Sequence, residues 1–239
     1  MSQTDNAIAA VKMMIETGEL KPGDRLPPER ELGEVLGVSR NSLREAVKSL
    51  EAIRVLDVRR GDGTYVTSLD PKVLLEGISF VVDIHDDATL IEMFSVRRML
   101  EAAAARVAAG CASEELLGSL ESIVERSRAT QTVDDLVELD TVFHRELASA
   151  AGNRYLSGIL ETLSSSTVRA RVWRGLSQTG AVDRTIAEHS AIIAAVRGGD
   201  AELAGALMTA HIAGVENWLK EAARMLDDAD QGDADGLAD

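Results

Sequence analysis

Apolar residues recur at helical spacing from the start of the chain. Ile8, Val11, Met14 and Ile15 share one face, and Gly18 is placed to end that helix. A turn-rich stretch, Gly18 to Pro28, follows, and then a short helix from about Pro28 to Leu36, with proline acceptable near a helix start. Gly37-Val38 makes a tight turn. Ser39 then caps a helix to about Ala52, in which Leu43, Ala46, Val47 and Leu50 form a stripe at i, i+3, i+4 and i+7. Beyond it the pattern changes: Val55, Val58, Tyr65 and Val66 flank the run Arg59 to Thr64, which predicts two strands joined by a glycine-rich hairpin. Three helices and a hairpin in this order are the plan of a winged helix-turn-helix.

Past Thr67 strand signals almost vanish. From about Val73 to Leu226 the periodicity predicts six or seven amphipathic helices, broken near Gly110, Thr130, Gly152, Gly180 and Gly199. Asp70-Pro71 interrupts the pattern. The expected organisation is therefore a mainly α protein with a winged helix-turn-helix over 1–69, an all-α bundle over 70–226 and an acidic, disordered tail over 227–239.

Composition supports this division. Aromatic residues make up only 3% and alanine is abundant, favouring close-packed helices over sheets. Cys111 is the only cysteine, so no intrachain disulfide can form, which suits a reducing compartment. The N-terminus does not resemble a secretion signal, and no uncharged stretch approaches the roughly 18 residues that span a bilayer. A cytoplasmic protein without a membrane partner is expected. The net charge of −15 is unevenly spread: residues 1–70 carry 10 Lys/Arg against 12 Asp/Glu, and residues 71–239 carry 15 against 28. Between Arg25 and Arg60 the sign reverses, with eight basic residues to six acidic, while six acids crowd the last thirteen positions. Unspecific polyanion binding is disfavoured, but a small basic face is not.

That face lies on the helix after Ser39. Arg40, Arg44 and Lys48 form a row away from the apolar stripe, with Asn41 beside them. Arginine can grip guanine O6/N7 through two hydrogen bonds, asparagine can pair with adenine, and the amides at the helix start favour phosphate. The segment GDRLPPERELGEVLGVSRNSLREAVKSLEAIRVLDVRRGDGTYV resembles the DNA-binding domain of the GntR superfamily of bacterial regulators over residues 6 to 67. The resemblance places phosphate and base contacts on Arg30, Arg40 and Arg44, with Ser39, Asn41 and Ser42 at the helix start. Gly61 falls at the wing tip, near the minor groove. Two positions depart from the family: Pro28 stands where a helix-capping serine is common, and Arg54 where a glycine is common.

The remaining chemistry sits on histidines. Asp140 and His144 are four residues apart on one helical face, and His189 and His211 each lie among apolar residues of a separate predicted helix. A lone histidine in such a place is ordinarily a satisfied core residue; three with a carboxylate make the donor set of a borderline divalent ion. Spacing cannot show that the three helices converge. Residues 90 to 215 resemble the FCD effector domain of the FadR-type branch of these regulators, through VRRMLEAAAARVAA, DTVFHRELASAAGN, EHSAIIAAVRGGD and MTAHI. That resemblance implies metal ligation by Asp140, His144, His189 and His211, with zinc first and nickel or manganese as alternatives. It disfavours the acyl-CoA-binding, metal-free type.

Arg97 matches an arginine that can project into the effector pocket; the competing reading is a helical ion pair with Glu101. Together with the metal, Arg97 would grip the carboxylate of a small organic acid. His85 reads as an exposed linker residue, and Trp173 and Trp218 as core or interface anchors. The expectation is a regulator, a repressor ahead of an activator, that binds a palindromic double-stranded operator as a homodimer under control of that acid. Two alternatives stand beside it: a metal that only braces the bundle, and a metal-dependent enzyme acting on small organic acids.

Overall fold

The computed structural model describes residues 2–71, 73 and 87–235. It divides into two compact units, Met1–Ile78 and Ser79–Asp239. His85, expected in a linker, lies outside the described residues.

In the first unit α1 (Gln3–Glu16) opens on a capping box, in which the Ser2 hydroxyl accepts from the Asp5 amide and the Asp5 carboxylate accepts from the Ser2 amide. α2 (Glu29–Leu36) ends at Gly37, whose left-handed φ of 65° lets the Val38 amide return to the Gly33 carbonyl. α3 (Arg40–Ala52) starts at Ser39, as its cap chemistry predicts, with the Ser39 hydroxyl accepting from the Ser42 amide. Its stripe of Leu43, Ala46, Val47 and Leu50 is buried. That stripe packs with Ala7, Val11, Leu32, Leu56 and Val66 into one core. β1 (Leu56–Arg59) and β2 (Gly63–Val66) pair antiparallel in the register Leu56 with Val66 and Arg59 with Gly63. Arg25 adds a single bridge to Tyr65. The two departures noted in the sequence have local consequences. Pro28 caps α2 without a side-chain hydrogen bond, and Arg54 occupies a left-handed backbone position at φ 59°.

The second unit is helical throughout its described residues: α4 (Asp87–Gly110), α5 (Glu114–Ala129), α6 (Val133–Ala150), α7 (Arg154–Ser166), α8 (Val168–Ser177), α9 (Ala181–Arg197) and α10 (Ala201–Asp235). The breaks fall at the expected glycines and Thr130. One further break, at Thr167, has no glycine or proline to announce it. Where a separate tail was expected from residue 227, helical backbone continues to Asp235. The run carries no proline, and extending a packed helix requires no new nucleus. Residues 236–239 lie outside the described residues. α4 packs at length along α10, with Ala105, Ala108 and Ala204 allowing close approach, and Phe94, Phe143, Leu147, Ile192 and Ile212 fill the centre. No helix among the described residues is long and apolar enough to cross a membrane.

Candidate functional site

Three helices of the second unit bring four polar side chains into its interior. α6 supplies Asp140 and His144, α9 His189 and α10 His211, and all four are buried. Each offers one donor atom, and these atoms lie within 4.8 Å of one another. Asp140 Oδ1 is 3.2 Å from His189 Nε2, 3.5 Å from His144 Nε2 and 3.9 Å from His211 Nε2. His144 Nε2 and His211 Nε2 are 3.2 Å apart. Ligands held at about 2.1 Å from one ion stand about 3 to 4 Å from each other. The convergence anticipated by resemblance is thus present in the fold.

The rings are held from behind. His144 Nδ1 pairs with Glu101 Oε2, and His211 Nδ1 with Glu188 Oε2 at 2.7 Å. A carboxylate at Nδ1 keeps the proton there and leaves the Nε2 lone pair free, the arrangement that orients histidine ligands. His189 stacks on Phe143 with ring centroids 3.9 Å apart, and its Nε2 is buried but poorly aligned for a hydrogen bond with Asp140. A buried nitrogen without a hydrogen bond, facing a carboxylate and two further Nε2 atoms, is what a bound cation would satisfy. The donor set therefore fits a divalent ion of the zinc, nickel and manganese group.

Electrostatics agree. Burial pushes the Asp140 carboxyl up, but His144 and Arg171 beside it more than reverse this and hold it well below the usual range. Glu101 behaves likewise: burial raises it, and Arg97 and His144 bring it down to about 2. Burial pushes His189 down to about 4, keeping it neutral and available as a ligand.

Arg97 makes the helical pair and also lines a cavity. Its Nε donates to Glu101 Oε1 at 2.7 Å and its Nη1 to Thr167 Oγ1 at 2.8 Å, so the helical pair exists and is buried. Yet Nη2 has no hydrogen-bond partner, and the side chain lines a cavity of about 30 Å³ shared with Asp140, His144, Arg171, Arg174 and His211. Because Glu101 binds Arg97 with one oxygen and His144 with the other, it couples the arginine to the histidine cluster.

In the first unit Arg30, Ser39, Arg40, Asn41, Arg44 and Gly61 are exposed and Ser42 is half-buried. Arg40, Asn41 and Arg44 share α3. Arg44 reaches Glu29 at the start of α2, 3.4 Å away, and the Ser39 and Ser42 hydroxyls bond each other at 2.9 Å. Gly61 sits in the turn of the hairpin at φ 78°.

Known proteins carry the same two parts. Residues 3–66 match the model for bacterial regulatory proteins of the gntR family, and residues 92–214 match the FCD domain. The chain belongs to the GntR family of bacterial regulators. It is 31% identical to the HTH-type transcriptional regulator LutR of Bacillus subtilis, over 86% of this chain and 96% of that protein. It is also 31% identical to the galactonate operon transcriptional repressor of Escherichia coli K12, over 92% and 98% respectively. The solved structure of Streptococcus agalactiae GntR superposes with a TM-score of 0.69 at 28% identity, covering 90% of this chain and 99% of that one. This GntR protein is a DNA-binding transcription regulator, and its relatives are regulators, not enzymes.

Several residues at the site escape sequence reasoning. In α8 the polarity is inverted: Arg171 and Arg174 are buried, whereas Trp173 and Leu176 are 48% and 70% exposed. A reader burying the apolar face would turn this helix the wrong way. Trp173 instead meets Trp218 edge-on, with ring centroids 4.9 Å apart. Arg171 pairs with Asp140 Oδ2 and donates to the Ser164 carbonyl at 2.6 Å, fixing the carboxylate so that Oδ1 faces the histidines. Glu188 was hidden beside His189, with only its i−1 position as a signal. In the first unit Arg25, Arg59 and Arg60 line a groove of about 380 Å³ between α2, α3 and the hairpin. Gly63 sits there at φ 151°, a backbone that side chains with a Cβ rarely adopt, and a Cβ would also push the Arg25 side chain aside.

Proposed function

We propose that this GntR protein is a metal-dependent repressor, working as a homodimer on a palindromic operator and released by a small carboxylic acid. The observation that carries the reading is the meeting of three buried Nε2 atoms on Asp140 Oδ1, two of the rings backed by carboxylates, beside a cavity that Arg97 also lines. Asp140, His144, His189 and His211 would hold the ion. Three imidazoles and one carboxylate favour zinc, with nickel and manganese as alternatives. When bound, the ion supplies Lewis-acid affinity for a carboxylate oxygen. Arg97 contributes its remaining N–H groups to the same carboxylate. The E. coli relative is by name a galactonate operon repressor, and galactonate is a sugar acid, which supports both the class of effector and the sense of control.

On the DNA side Arg40, Asn41 and Arg44 would read base edges from α3. Arg30, Ser39 and Ser42 would hold phosphates, and Gly61 would bring the wing to the minor groove. A single winged helix buries too little surface for operator affinity, which is why two copies and a palindrome are invoked. The effector controls binding only if it prefers one spacing of the two heads. The expected compartment is the cytoplasm.

The test measures metal content and operator affinity together. Protein purified without chelator should carry about one divalent ion per chain, and His144→Ala and His211→Ala should lose it. A small carboxylic acid should weaken operator binding of the loaded protein only. Metal content near zero, with both variants behaving as the parent, refutes the metal. A metal that raises the melting temperature while no acid changes operator affinity assigns it a structural role alone.

A further inference from the structure

Three arginines line the cavity beside the histidine cluster, and each retains a buried nitrogen without a hydrogen-bond partner: Arg97 Nη2, Arg171 Nε and Arg174 Nη2. Two of them have carboxylate partners, Arg97 in Glu101 and Arg171 in Asp140. Arg174 has none at contact distance among the described residues, and Glu188 and Asp140 act on it only from farther away. Its Nε donates to the neutral amide of Gln178 at 2.7 Å, although the side chain is only 4% exposed. A buried guanidinium without a carboxylate at contact distance is costly unless something else supplies one. Apolar Phe94, Leu136, Val137 and Ile212 line the same cavity, which lowers the local screening of the charge.

The balance of charge sets what is missing. A divalent ion and three arginines bring five positive charges; Glu101, Asp140 and Glu188 bring three negative, and the histidines are neutral as ligands. Two positive charges remain uncompensated. A monocarboxylate would still leave one.

We infer that the effector is a small dicarboxylate, its first carboxylate taken by the ion and Arg97 and its second by Arg174. This rests on the metal and carboxylate site proposed above. The cavity of about 30 Å³ has room for about two waters, so such an acid must widen it on binding. Arg174 then acts as the residue that selects for the second charge.

L-malate and L-lactate share the same 2-hydroxy carboxylate end and differ by one carboxylate, which makes them the probes, with D-galactonate as a larger monoacid. Calorimetric titration of the full-length, zinc-loaded protein should give L-malate at least about tenfold tighter binding than either monoacid. Arg174→Gln should remove that preference by weakening L-malate while leaving L-lactate unchanged, and Arg174→Lys should restore part of it. The unchanged L-lactate affinity shows that the variant is folded. L-lactate or D-galactonate binding as tightly as L-malate overturns the inference, as does an Arg174→Gln variant that weakens L-malate and L-lactate equally. Those outcomes leave the proposed site standing. If none of the three acids binds while zinc is held, the effector site itself falls, and the inference with it.

Discussion

Replacing Glu101 by glutamine changes one oxygen for an NH₂ group and almost nothing else, at a residue only 3% exposed. The carboxylate serves two partners there, accepting from Arg97 Nε at 2.7 Å and facing His144 Nδ1 with its other oxygen. Glutamine can accept from Arg97 as before, but then its amide N–H₂ faces His144. That contact is satisfied only if His144 Nδ1 becomes the acceptor, which moves the ring proton to Nε2 and blocks the lone pair that would bind metal. Loss of an orienting partner behind a metal-bound histidine costs about 10- to 100-fold in affinity, and the forced tautomer places this case at the upper end. The variant also strands the buried Arg97 charge. Removing one member of a buried ion pair costs about 3–5 kcal/mol. Glu101 itself gives a similar figure, since its fall from 4.5 to about 2 corresponds to about 3 kcal/mol. A carboxylate held down in the folded state stabilises fully above its unfolded pKa of 4.5 and loses that contribution as the pH falls toward 2, so at neutral pH the effect is complete. Chelator competition for zinc should therefore show about 100-fold weaker binding. Thermal melts of the metal-free protein should fall by about 10 °C for a domain of this size, with the helical far-UV signal retained at 25 °C. Zinc affinity within about twofold of the parent refutes the coupling of Glu101 to the ligand set.

In the metal-free protein two histidines should set a pH optimum. Burial lowers the pKa of His144, but Glu101 and Asp140 beside it raise it overall. Its contribution is thus full below 6.5 and lost as the pH rises through the folded value. Burial holds His189 at about 4, so its contribution is full above 6.5 and lost as the pH falls toward 4. Melting temperatures in chelator from about pH 5 to about pH 8 should pass through a maximum near pH 6.5, and a monotonic trend across that range rules the assignment out. Arg54→Gly should relieve a left-handed backbone at φ 59° and stabilise the first unit by up to about 1 kcal/mol, glycine's own entropy offsetting part of the gain. A lower melting temperature would contradict it. Arg44→Ala should abolish preference for operator over random DNA without changing the helical signal, and unchanged discrimination would remove Arg44 from base reading.

Much of the first unit was legible because its signals are local. The Ser39 cap, the Leu43 to Leu50 stripe, the Gly37 turn and the switch to alternating residues after Ile53 each involve neighbours along the chain. The second unit was legible as helices and breaks, but less so as a surface. α8 reads as an apolar helix with scattered arginines, and only packing reveals that the arginines point inward and Trp173 and Leu176 outward. The break at Thr167 carries no glycine or proline, so nothing local marks it. Glu188 needs His211, which lies on another helix, before its position has any meaning.

What the sequence determined by itself was therefore the alphabet of the site: which helices form, and which of them carry Asp140, His144, His189, His211 and Arg97. Helix formation depends on spacing and end chemistry within a few residues. Tertiary structure decided the rest. It brought donors from α6, α9 and α10 within 4.8 Å, split the two oxygens of Glu101 between an arginine and a histidine, and buried Arg174 with no carboxylate at contact distance among the described residues. Those outcomes depend on how helices pack, and a charge in the interior is tolerated only where side chains distant in sequence arrive to pair with it.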